Sequence, residues 1–183
     1  MNNYERLKKA IRQNLAREIN GAANSLSLEA LEDIGLTLEI HRKILNIQDV
    51  EIREILVRDL KECAIAVVAG QDKMATIMCG SIMEALLMQK IRERNIEKYD
   101  ISPISKSKHA TSYPVTDMGL NELLFVAGQE KILDKNSYHL GHYIRDYRNI
   151  VHPAKEKRMS EEVNHENFLT MWAVLKRLLE ELY

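Results

Sequence analysis

Residues 75–87, ATIMCGSIMEALL, are apolar almost all the way round a helix. A helix with no face for water has to be enclosed by other elements, so this segment predicts the centre of a bundle. Its helix starts at Asp72, read as the N-cap, and runs into the charged residues QKIRERN. Gly80 and Ser81 would let a neighbouring helix come close. Glu84 stands alone among these apolar residues. A carboxylate is costly to bury without a partner, so it either sits at the rim or meets a cation. Arg145 and Arg148 are the cations to examine first.

The rest of the chain supplies the surrounding helices. Tyr4, Leu7, Ile11 and Leu15 form a stripe in a helix over 3–20, whose polar face is basic and reads as solvated. Ser27 caps a second helix over about 28–45, with Leu28, Leu31, Ile34, Leu38 and Leu45 inward. Asp49 caps a third, over 50–69, where Ile52, Ile55, Leu56, Leu60, Cys63, Ala64 and Val67 recur at the helical period. A helix over 118–129 turns Leu120, Leu123, Leu124 and Ala127 inward. A last one, over 160–182, does so with Val163, Phe168, Met171, Trp172, Leu175, Leu178, Leu179 and Leu182. Between them, residues 99–116 show no sustained period and read as a long loop, with Lys106, Lys108 and His109 solvated. Only seven Gly and three Pro punctuate 183 residues, and no strand is predicted. The fold class is all-α, an antiparallel helical bundle.

Charge and cysteine usage narrow the function classes. A net charge of −1 provides no global field for nucleic acid, so any such affinity must come from a local patch. Cys63 and Cys79 have neither paired nor metal-ligand spacing and read as small core hydrophobes, in keeping with a reducing cytosol. The N-terminal MNNYERLKKAIRQ lacks a signal-peptide core, and no stretch reads as a bilayer span. A cytoplasmic location without membrane attachment is expected.

The chemistry concentrates in Tyr138–Pro153, YHLGHYIRDYRNIVHP. Asn136 or Ser137 caps this helix, and Pro153 ends it. Leu140, Ile144, Tyr147 and Val151 form its apolar stripe, while His142, Arg145, Arg148, Asn149 and His152 fall opposite. At about 100° and 1.5 Å per residue, Arg145 and His152 lie about 20° apart around the axis and about 10 Å apart along it. Two arginines, two histidines and an amide can hold a phosphate and move a proton beside it. The plainer reading is a solvated face whose basic residues complement the helix C-terminus. Other chemistries find no support: HExxH, CxxC, GxSxG and clustered carboxylates with metal-ligand spacing are all missing from the sequence. Neither a metal nor a cofactor is expected.

GSIMEALL in the central helix, then a loop, then LNELLFVAGQEKIL and RDYRNIVHP, resemble the HEPN superfamily (higher eukaryotes and prokaryotes nucleotide-binding domains). Its signature is Arg, four to six residues, then His, often with Asn after an Arg and Pro after the His. Arg145 and His152 match at the long limit, with six residues between them. Arg148 and Asn149 match the Arg-Asn pair, but only three residues separate Arg148 from His152, so either arginine can be the motif one. The resemblance spans about 50–180, implying a HEPN-like bundle over 48–183 and a helical extension over 1–47.

Many HEPN domains are metal-independent ribonucleases that work as dimers. Others are non-catalytic modules that dimerise and bind nucleic acid, nucleotide or protein. Several belong to toxin–antitoxin, anti-phage or RNA-processing systems. The resemblance therefore implies Arg145, Asn149 and His152 as catalytic residues, and Arg148 and His142 as substrate-binding ones. It also implies an RNA substrate, a homodimer and a protein partner such as an antitoxin. Asp146 is expected to be a surface ion-pair partner rather than a catalytic residue.

Overall fold

The structure is a computed structural model that describes residues 38–68, 70–104, 112–152, 154, 155, 157 and 164–183. Among these residues it contains six α-helices: α1 Leu38–Leu45, α2 Val50–Val68, α3 Asp72–Glu93, α4 Leu120–Gln129, α5 Lys135–Arg148 and α6 His165–Leu182. The all-α bundle is as expected. The proposed helix over 3–20, the first part of the one over 28–45, and Lys106, Lys108, His109 and Val163 lie outside the described residues.

The central helix is where its composition requires. α3 packs against α2, α4, α5 and α6, and Ile82, Met83, Leu86 and Leu87 have no solvent exposure. By length and mean hydropathy α3 does qualify as a bilayer span, contrary to the reading above; here more than half of that segment is buried inside the bundle. The inward positions of α4 and α6 are also as expected. Leu120, Leu123, Leu124 and Ala127 are buried, as are Phe168, Met171, Trp172, Leu175, Leu178, Leu179 and Leu182. Leu45 and Ile55 are exceptions and stand exposed on the outer side. Each sits near the edge of its stripe, where α1 and α2 have no described neighbour to cover it.

Helix starts follow capping chemistry. The Asp49 carboxylate accepts the Ile52 N–H at 3.1 Å, the expected cap of α2. Asp72 does not cap α3: Gln71 occupies that position without a side-chain bond, and Asp72 lies in the first turn, paired with His165 of α6 at 3.1 Å. α5 is capped by Asp134, which accepts the Ser137 N–H at 2.7 Å, rather than by Asn136 or Ser137. α6 begins at His165, later than expected, with Asn164 as its cap. The loop before α4 also carries an unexpected strand pair. Lys98–Tyr99 (β1) and Tyr113–Pro114 (β2) pair antiparallel, Lys98 opposite Pro114. Two-residue strands carry too little alternation to register as a period.

Asp49→Ala removes the cap of α2 and should cost about 1 kcal/mol of stability, read as a lower urea midpoint at unchanged slope.

Candidate functional site

The motif helix α5 lies between α4 and α6 with α3 beneath it. Its close seat on α3 depends on two small residues. A Cβ at Gly80 would fall 2.7–2.9 Å from Cβ, Cγ and Cδ of Arg148. A Cβ at Gly141 would run into Leu124 of α4 and Met83 of α3. The close approach expected at Gly80 is therefore real, and the group lying over it is Arg148.

Arg148 reaches Glu84. Its Nη1 donates to Glu84 Oε2 at 2.7 Å, and the two side chains are 32% and 29% exposed. The same carboxylate oxygen accepts the Leu120 N–H at 3.1 Å. Gly119, at the N-cap of α4, has no side chain to do so, and a carboxylate at a helix N-terminus is favoured by the positive end of the dipole. Glu84 is thus both near the rim and paired, and its partner is Arg148 rather than Arg145.

Arg145 turns toward α4 instead. Its Nε and Nη2 donate to Asp146 Oδ1 at 3.1 and 2.7 Å, and its Nη1 donates to Asn121 Oδ1. Asp146 is the ion-pair partner expected, and what it pairs with is the predicted catalytic arginine. Asn121 was not anticipated, because nothing in LNELL marks a residue for a contact 24 positions away. Arg148 has Nε and Nη2 without a partner among the described residues; every nitrogen of Arg145's guanidinium is engaged.

The five polar residues consequently do not share one stripe. Arg148 faces α3, Arg145 faces α4, and His142 packs edge-on against Tyr138 with ring centres 4.6 Å apart. The helical register also ends before His152. Asn149–Val151 form a 3-10 turn, which advances about 120° per residue, and His152 is extended at φ −75°, ψ 117°. The 20° separation expected from a continuous α-helix is lost. His152 is exposed, held through its backbone: its N–H donates to the Asn149 carbonyl and its carbonyl accepts from Lys155. Its ring has no partner among the described residues.

His142 is half-buried, and its Nδ1 is enclosed without a hydrogen bond among the described residues. Burial holds its pKa below the ordinary histidine value, and the charge on Arg145 lowers it further; Asp146 opposes both. The two cysteines are buried in the core, as expected of small hydrophobes. Sixteen residues apart in sequence, they meet across α2 and α3 as buried free thiols. A hydrogen bond to Cys63, together with burial, holds the Cys79 thiol well above the usual range. So placed, neither is a nucleophile.

Compared with family models, curated proteins and solved structures, the chain matches none.

Two predictions follow the geometry. A double-mutant cycle of Glu84→Gln and Arg148→Met, read by urea unfolding, should give a coupling of about 1 kcal/mol, because the pair is only partly shielded from water. A coupling near zero would remove Glu84 as the anchor of Arg148. For His142, the unfolded chain binds a proton more readily than the folded one. Stability should therefore fall as pH drops below the unfolded histidine value of about 6.5, and go on falling until the folded ring protonates. His142→Gln should flatten that part of the stability profile.

Proposed function

We propose that this chain is a metal-independent endoribonuclease of HEPN type, acting as a dimer in the cytosol within a toxin–antitoxin or anti-phage system. The observation that carries the reading is the arrangement of the Arg148–His152 segment. An exposed histidine with no described partner for its ring stands at a helix break, four residues after an arginine anchored on the central helix.

RNA brings its own nucleophile, the 2′-hydroxyl, so the protein has to supply only proton transfer and positive charge. In this reading His152 takes the 2′-hydroxyl proton, the 2′-oxygen attacks phosphorus, and the bond to the 5′-oxygen breaks. The leaving 5′-oxygen takes a proton from His152 of the partner subunit, giving a 2′,3′-cyclic phosphate and a 5′-hydroxyl. Histidine suits both tasks because its ordinary pKa is near neutrality. Arg148 stabilises the non-bridging oxygens through Nε and Nη2, the two nitrogens without a partner among the described residues. Asn149, directly after it, orients the phosphate. Arg145 then serves as scaffold, since Asp146 and Asn121 already take its guanidinium. His142, half-buried against Tyr138, is likewise a poor substrate ligand.

The alternative is a non-catalytic HEPN module that dimerises and binds nucleic acid, nucleotide or an antitoxin-like protein. The observation in its favour is that each arginine's charge is met by a carboxylate, Glu84 or Asp146.

The deciding assay is cleavage of mixed cellular RNA in excess EDTA. The wild type should leave cyclic-phosphate ends. His152→Ala should lose at least about 100-fold in rate, the usual contribution of a general acid or base. Arg148→Lys, which keeps a charge for Glu84, should also be impaired, and Arg145→Ala should stay within about tenfold of wild type. No cleavage by a folded wild type, or equal cleavage by His152→Ala, would sink the nuclease reading and leave the binding module.

A further inference from the structure

A groove of about 620 Å³ runs between α5 and α6, on the side of α5 away from Arg145. Leu140, Val174 and Tyr143 line it with apolar and aromatic surface. Asn136 offers both amide donors and an acceptor. His139 and Arg177 line the rim.

We infer that this groove binds a base of single-stranded RNA, stacked on Tyr143, with the adjoining backbone passing His139 and Arg177. The inference rests on the ribonuclease reading for its ligand class, and it names a second part of the same substrate site. Sequence-tolerant RNA binding combines an aromatic face with nearby cationic groups, and this groove provides both. Tyr143 is also supported from behind: Tyr147, one turn later, packs its ring 4.6 Å away at 46°. Tyr147 in turn reaches Asn167 of α6 at 3.5 Å, so the aromatic pair is tied to both helices. Tyr143 precedes Arg148 by five residues, about 7.5 Å along the axis and about 140° around it, so a strand reaching both has to cross the outer surface of α5.

The cationic rim can exchange its partner. Arg177 is 53% exposed and meets Asp134, equally exposed, at 3.7 Å. Such a surface pair contributes little, so a phosphate can replace the carboxylate. An apolar helix in the groove would instead bury the Asn136 amide without a partner, which disfavours a protein occupant.

The test measures binding apart from cleavage. A fluorescent 2′-O-methyl RNA hexamer lacks the nucleophile, so anisotropy reports its affinity for the full wild-type chain in EDTA. Tyr143→Phe keeps the stacking face and should bind like wild type. Tyr143→Leu keeps apolar packing without the ring and should bind about tenfold more weakly. Thr170→Glu, at an exposed groove position, adds a repelling charge without touching the core and should weaken binding similarly. Wild-type affinity in both weakening variants, with the wild type itself binding, would overturn the groove and leave the ribonuclease reading standing. The expected loss in a protein that cleaves no RNA would keep the groove and reject the nuclease. A wild type that neither binds nor cleaves would reject both. A changed oligomeric state by light scattering, at unchanged RNA affinity, would make the groove a protein interface and overturn the inference.

Discussion

One carboxylate joins three helices. Glu84 projects from α3, accepts the first N–H of α4 and receives the guanidinium of Arg148 at the end of α5. Each link answers a separate physical need. The N-terminus of α4 follows a glycine and lacks a side-chain cap, so its N–H and its dipole need an acceptor from elsewhere. A carboxylate on the central helix needs a cation if it is to remain charged between elements. Arg148, over Gly80, can lie flat on α3 only because no Cβ intervenes. Removing Glu84 would take the acceptor from both the Leu120 N–H and the Arg148 guanidinium.

The end of α5 decides what the motif segment can do. α-Helical bonding ends at Arg148, and the chain tightens into a 3-10 turn before His152 leaves it as extended backbone. A residue before proline is pushed out of the helical region by the ring's steric demand, which accounts for His152's conformation. The break separates the histidine from the arginine that aligns with it on an ideal helix. It leaves Arg148 and Asn149 partly exposed and His152 exposed beyond them, with Arg145 turned onto α4.

Much of the fold was legible from periodicity. The all-round apolar ATIMCGSIMEALL demanded enclosure and is enclosed, and every described inward position of α4 and α6 is buried. The Asp49 cap was legible because its carboxylate bonds three residues on, within the same local segment. Asp134, Asn136 and Ser137 can all cap, and the choice among them depends on where the backbone first turns helical. The paired thiols were illegible, since sixteen residues of separation say nothing about two antiparallel helices placing Cys63 beside Cys79.

By itself, then, the sequence determined the class of structure, its central helix and the need for Glu84 to find a cation or an edge. Those follow from hydrophobic period and from the cost of an unpaired buried charge, both local to a segment. Only the tertiary structure decided which arginine Glu84 holds, that Asn121 and Asp146 occupy the other, and that the motif residues point three ways. Those outcomes depend on how α3, α4 and α5 seat against one another. Two positions without a side chain, Gly80 and Gly141, permit that seating, and no periodicity encodes it.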